Sequence, residues 1–351
     1  MEMRVHVCGQ ARGPLVAVGG GAGPSLVARA LPLELERLVA IVCTTDRGSS
    51  TGVCRRLFQM PAPGDIRATL ATLAGLSGQE SWAWVLEKRL RCEDNGDLNG
   101  MALGNLILAG LFQEEKNLGL AVSKMARLLG ICGTVLPVTT QDSDLEAILE
   151  DGSLVKGELE VRRKGKAPIR ELRWHGQAPQ ASPGVVESLR DAELVILGPG
   201  CFYTSLLPCL LVQGVVEAIR ARKGGCIYLC NTTTTPGQTE GFSAARHVAE
   251  LLKVLGPGAL DGVILHQGSM PEKTVTAYEV LGVAPIEVTQ EDLDQILSMG
   301  VRPWLHDLTE PPASRPRVLH KVDTIRHDPV KLGLALRDAA RELGINLEVR
   351  P

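Results

Sequence analysis

The sequence predicts an α/β fold: a three-layer, Rossmann-like and mostly parallel sheet carrying a small antiparallel β insertion. Three observations predict it. Short, continuously apolar runs alternate with helical patterns, as strands buried on both faces of a parallel sheet do. Aromatic residues are scarce, four Trp, four Phe and three Tyr in 351, so the core must be aliphatic. Glycine reaches 38 and gathers where the apolar runs end, as tight strand-to-helix turns require.

In chain order, the apolar runs place strands at Leu15–Val18, Leu38–Cys43, Leu194–Leu197, Gly225–Cys230 and Gly262–Leu265. A helical block follows the second strand, with segments Asp65–Leu76, Glu80–Leu90, Ala102–Phe112 and Leu118–Leu129. The third is apolar on almost every side and is expected to lie centrally. Between residues 138 and 182 the texture changes. Asp151-Gly152 separates two extended runs, a hairpin signal, and Glu158–Val161 and Ile169–Leu172 alternate with period two. These read as strands with one wet face. Pro311, Pro312 and Pro316 mark a linker before a last strand and a closing helix, Pro329–Leu343, so residues 313–351 should close the domain.

Composition narrows the function. Lys and Arg number 37 against 40 Asp and Glu, with no long run of either sign, so a phosphate-backbone reader or membrane-surface helix is not indicated. Few aromatics argue against stacking platforms for single strands. The nine cysteines include no C-x-x-C pair and read as buried hydrophobes in a reducing compartment. Neither they nor the histidines have zinc spacing, and no metal site is expected. Leu194–Val212 runs 19 residues without a charge, but its Gly198-Pro199-Gly200 and Pro208 make it strand, loop and helix start, not a membrane span. A cytoplasmic location is expected.

Six segments carry chemistry. Gly19-Gly20-Gly21-Ala22-Gly23 follows the first strand and opens a helix, a place for a phosphate against free N–H groups. Pro24 breaks the G-x-G-x-x-G pattern and no P-loop lysine is present, so a ligand-free turn is the alternative. Asp46-Arg47-Gly48-Ser49-Ser50 follows the second strand, about 20 residues on, where Rossmann-type folds place a ribose-gripping acid. Capping of a turn is the plainer role for Asp46. Asp65 stands at a helix start, as N-cap or as catalytic acid, with Arg67 near it to address a phosphate or pair with it. Asn105 is a polar group on an apolar helix and must find partners. Gly198, Gly200, Tyr203 and Thr204 form another strand–glycine loop–helix turn, and Asn231 to Thr235 a third polar loop at a strand end.

These segments, in this order, resemble the YvcK/CofD family. The match rests on the Gly19–Gly23 loop, the loop at Asp46–Ser50, Pro63-Gly64-Asp65-Ile66-Arg67 and Leu103-Gly104-Asn105. It continues through Gly198-Pro199-Gly200 with Tyr203-Thr204-Ser205, Asn231 with Thr234, Pro236, Gly237 and Thr239, and Arg326-His327-Asp328-Pro329. The resemblance implies one CofD-like domain over residues 1–351. It implies a UDP-sugar as ligand on the YvcK branch of gluconeogenesis factors, acting in carbon metabolism, cell-envelope and cell-shape control. On the CofD branch it implies transfer of a 2-phospholactyl-type group onto a deazaflavin, with Mg²⁺ at acidic residues, here Asp46 and Asp65. It places Arg326 with the glycine loops on the diphosphate. A homodimer is expected.

Departures from the family pattern favour binding. The usual paired Asp-Asp is Thr45-Asp46, with Arg47 where Gly is common, and one carboxylate fewer weakens a Mg²⁺ site. The usual His-Ser before Leu-Gly-Asn is Met101-Ala102, which removes a proton carrier. A nucleotide-sugar-binding regulator is therefore the first reading, a Mg²⁺-dependent transferase the alternative, and an NAD(P) oxidoreductase the last. Tyr203 is the aromatic expected to face a base or sugar.

Overall fold

A computed structural model describes residues 12–92, 96–268, 275, 280–310 and 327–348. Seven parallel strands make the main sheet: β1 (Leu15–Gly19), β2 (Leu38–Val42), β3 (Thr134–Pro137), β7 (Leu194–Leu197), β8 (Gly225–Leu229), β9 (Gly262–His266) and β10 (Arg302–His306). Their order is β3-β2-β1-β7-β8-β9-β10. Chain direction across the sheet reverses between β1 and β7, so that is the switch point where α/β sheets open a crevice. The five strands read from the sequence are all present, each within one residue of its expected end.

Alternation along β1 divides the core. Leu15 and Ala17 face helices α1 (Ala22–Ala30), α3 (Gly64–Leu76), α5 (Leu103–Glu115), α6 (Leu118–Leu129) and α13 (Pro329–Glu342). Val16 and Val18 face the other layer, with α8 (Val185–Asp191), α9 (Leu207–Leu210), α10 (Val215–Arg220), α11 (Ala244–Leu255) and α12 (Gln290–Ser298). Both faces of the strand are fully buried, which is why it reads as an unbroken apolar run. Helix α5 packs against α2 (Ser49–Phe58), α3, α4 (Glu80–Glu87) and α6, the central position expected of it.

The insertion forms a second sheet in the order β5-β4-β6, from β4 (Leu145–Leu149), β5 (Leu154–Lys156) and β6 (Ile169–Trp174), all antiparallel. Its Leu145, Ala147, Ile169 and Leu172 join the core layer of Val16 and Val18. One expected strand is corrected: Glu158–Val161 is a one-turn helix, α7. Gly157, at φ 86°, turns the chain out of β5, and the turn puts Glu158 and Val161 on one buried side. A strand would set these two on opposite faces.

Three further differences have physical causes. The helix from Glu80 ends at Glu87, because the next residues pair with the segment before α5: Leu90 N donates to Met101 O and Leu103 N to Lys88 O. Strands β3 and β10 escaped the sequence reading. Both are edge strands, and each contains a proline, Pro137 and Pro303, that an edge tolerates and a central strand would not. The closing helix stands as expected, capped by Asp328, whose Oδ1 accepts from Val330 N and Lys331 N at 2.9 Å. The strand expected before it lies outside the described residues. No helix among the described residues is long and apolar enough to cross a membrane.

Candidate functional site

All six sequence segments meet at the carboxyl ends of β1, β2, β7 and β8, and each is joined to a neighbour by a specific contact. The β1 loop closes on two others. A β-carbon on Gly20 would stand 2.8 Å from Ser205 Oγ and 2.9 Å from Asp65 Oδ2, and one on Gly23 would stand 2.5 Å from Pro199 O. Only glycine permits that approach. Gly19, Gly20, Gly21 and Gly23 thus bring the start of α3 and the Gly198–Gly200 loop onto the end of β1.

The β2 loop is sewn to the same place. Thr45 Oγ1 donates to Thr204 O at 2.9 Å, joining it to the π-helical turn Phe202–Leu206. Asp46 Oδ1 accepts from Gly48 N at 3.0 Å and so shapes the turn into α2, as the plainer reading of the sequence expected. The other oxygen, Oδ2, lies 3.5 Å from where a β-carbon on Gly64 would stand. Ser49 follows with φ 46°, the left-handed region a non-glycine residue occupies only when its surroundings force it. Ser50 Oγ accepts from Asn105 Nδ2 at 3.1 Å, which brings the start of α5 alongside. Asn105 is 1% exposed, and its Oδ1 has no hydrogen-bond partner among the described residues.

The β7 and β8 loops clamp each other. Asn231 receives Gly200 N on Oδ1 at 3.0 Å and donates Nδ2 to Gly200 O at 2.9 Å, so both ends of its amide serve the loop. Gln238 Oε1 accepts Tyr203 N at 3.2 Å and Thr204 Oγ1 at 3.4 Å. Thr235 N donates to Thr239 Oγ1 at 2.8 Å. None of α1, α2, α3 and α5 has a side-chain cap. Uncapped first turns leave N–H groups for an anion.

Three expected site residues turn their side chains to protein partners, and a fourth is not described. Tyr203 is buried, 3% exposed, in an edge-on cluster with Phe202 at 5.3 Å and Phe242 at 6.2 Å. Burial first, then Glu250 nearby, pushes its hydroxyl pKa well up. Arg67 is also buried. It pairs with Glu87 at 2.6 Å and so ties α3 to α4. Arg47 grips Asp144 of the insertion through Nε at 2.6 Å and through Nη2, which gives its charge a protein partner. Arg326 lies outside the described residues.

The insertion adds two groups the sequence reading missed. Asp144 holds Arg47, and Glu158, 3% exposed, sits beside Asp46. Its Oε2 accepts Arg47 N at 3.4 Å and its Oε1 accepts from Arg162 at 3.3 Å, both long. Burial pushes the Glu158 carboxyl up, and the Asp46 charge adds to that against Arg162. No local pattern marks either residue; only the docking of the second sheet brings them here. Where the family pattern has a histidine, Met101 is buried and its Sδ accepts a weak hydrogen bond from the Cys54 thiol at 3.6 Å.

A family model described as 2-phospho-L-lactate transferase CofD matches residues 15–309, a span that takes in β1 and every loop above. The chain belongs to the CofD family. It is 32% identical over 330 residues to the gluconeogenesis factor of Bacillus subtilis, covering 94% of this chain and 99% of that one. To the gluconeogenesis factor of Halalkalibacterium halodurans it is 31% identical over 324 residues, covering 92% and 95%. A crystal structure of a UPF0052-family protein from Bacillus halodurans superposes with TM-score 0.82 at 29% identity, covering 93% of this chain and 99% of that one. Family membership and the parallel sheet agree with the sequence reading. The glycine loops of this CofD-family chain are therefore the place to seek its ligand.

Proposed function

We propose that this chain binds a nucleotide sugar, of the UDP-sugar class, at the switch point, and acts as a gluconeogenesis factor regulating carbon metabolism and cell-envelope or cell-shape processes. It would do so as a cytoplasmic homodimer. One observation carries the reading: four strand-end loops, from β1, β2, β7 and β8, are tied into one locus where uncapped helix starts meet. Such a locus suits a diphosphate; in this reading Asp46 takes a ribose or sugar hydroxyl and Asn105 Oδ1 accepts from a donor on the ligand. The printed name of the relatives, gluconeogenesis factor, supports the assignment to gluconeogenesis.

A second reading, a Mg²⁺-dependent transferase of a 2-phospholactyl-type group onto a deazaflavin, is favoured by Asp46 and Asp65, both partly exposed around the β1 loop. Among the described residues no group of three or more His, Cys, Asp or Glu gathers for a metal ion. The two aspartates fit Mg²⁺ only as a pair completed by ligand phosphates, which is a common form of Mg²⁺ binding. The ion would then supply charge neutralisation at the phosphate.

A thermal-shift panel of UDP-sugars, UDP, GTP and NAD(P), with and without Mg²⁺, separates the readings. A ligand at 100 times its Kd stabilises by about 2.7 kcal/mol. A UDP-sugar shift without Mg²⁺ supports the first reading, and no shift with any UDP-sugar removes it. A shift with a guanine or deazaflavin ligand that requires Mg²⁺ supports the second.

A further inference from the structure

Among the described residues, a buried ring N–H at the same end of the sheet has no hydrogen-bond partner. His266 closes β9 and is 6% exposed. Its Nδ1 accepts the Leu308 amide at 3.1 Å, and an amide hydrogen can be received only on an unprotonated nitrogen. The ring is therefore the neutral tautomer with its hydrogen on Nε2, a donor. Among the described residues that Nε2 has no hydrogen-bond partner: the backbone carbonyls of His306 and Gly268 lie near the ring, and neither meets Nε2 in hydrogen-bond geometry. The charged neighbours are otherwise engaged. Asp307 Oδ1 stands 4.0 Å from Nδ1, on the wrong side of the ring, and is held by Thr309 N and Oγ1, while Asp307 Oδ2 takes Lys331. His327 has its Nε2 3.1 Å from Cys230 O. A buried N–H of this kind costs stability unless something supplies an acceptor.

Its place in the row of strand ends indicates what does. The strands run β1, β7, β8, β9. At about 4.8 Å per step, His266 stands about 14 Å across the sheet from the β1 glycine loop, with the Asn231–Thr235 loop between them. We propose that His266 is a specificity-determining contact: its Nε2–H donates to an acceptor oxygen at the end of the ligand remote from the β1 loop. The inference rests on the nucleotide-sugar reading, and the acceptor is a carbonyl of the base or an oxygen of the sugar. A site built around a donor rejects ligands that lack the acceptor, because the donor is then left buried and unpaired.

Calorimetric titration with UDP and with UDP-glucose tests it on the wild type, His266→Phe and His266→Gln. Phe keeps a ring and removes the donor; Gln offers an amide N–H in its place. The expected result is a loss of roughly tenfold in H266F, the size of one hydrogen bond, with H266Q closer to wild type. Equal losses for both ligands assign the acceptor to the UDP part; a loss confined to UDP-glucose assigns it to the sugar. Wild-type affinity in H266F overturns the inference and leaves nucleotide binding standing, whereas a wild type that binds neither ligand overturns both. Should H266F fail to fold, ¹⁵N-histidine NMR of the wild type decides: the Nε2–H resonance of His266 must shift on adding ligand, and an unmoved resonance at saturation rejects the contact.

Discussion

Acid should unfold this protein partly through His247, and the effect can be sized. His247 is fully buried, with Phe202 and Phe242 rings edge-on at 5.5 and 5.2 Å, Nδ1 2.9 Å from Ser243 O, and Nε2 without a partner among the described residues. Burial drives its pKa down from 6.5 to about 4. A lowered histidine pKa means that the unfolded chain takes up a proton near pH 6.5 while the folded chain does not until about pH 4. The stability contribution is complete above pH 6.5 and falls as pH drops through that window, by at most about 3 kcal/mol. Between pH 7 and pH 5 the loss is about 2 kcal/mol. His247→Leu removes the titration, and Ser243 O still accepts the residue-247 amide at 3.2 Å. Urea unfolding of both proteins at the two pH values measures the difference. Wild type should lose about 2 kcal/mol more than H247L; parallel losses would refute the burial argument.

Other substitutions address the site and its supports. Gly23→Ala drives a methyl group to 2.5 Å from Pro199 O and must part the β1 and β7 loops, so ligand affinity should fall at least tenfold in calorimetry. Asn231→Ala leaves both the amide and the carbonyl of Gly200 without their partner and should cost roughly 1–3 kcal/mol in urea unfolding; an unchanged midpoint would mean that water replaces the clamp. Glu158→Gln keeps the shape of a buried carboxyl whose pKa is pushed up by burial and by Asp46. With a raised folded pKa the wild type loses stability as pH rises from the ordinary carboxylate value of 4.5 through the folded one, so E158Q should gain on wild type as pH rises above that value, and a gap independent of pH would contradict the assignment.

The main sheet was legible because β1, β7 and β8 are buried on both faces and so read as continuous apolar runs. Edge strands β3 and β10, with one partner each and a proline apiece, carry no such signal. Period-two alternation misread Glu158–Val161 because Gly157 redirects the chain just before it, and four residues are too few to distinguish the two periods. At the site, glycine clusters and hydroxyl-rich loops marked the backbone correctly. Side-chain roles were less legible. Tyr203 and Arg67 belong to residue types common in binding sites, yet their nearest neighbours are an aromatic cluster and Glu87. Asp144 and Glu158 come from a distant segment, and Gln238, between the motif residues Gly237 and Thr239, has no local distinction.

Hydrogen–deuterium exchange with and without saturating UDP-glucose tests most directly whether these loops form one ligand site. Slower exchange should appear together in residues 19–25, 44–52, 198–206 and 231–239, which the contacts of Gly23, Thr45, Asn231 and Gln238 join. Protection confined to the second sheet, or no protection in any of the four segments, would contradict it.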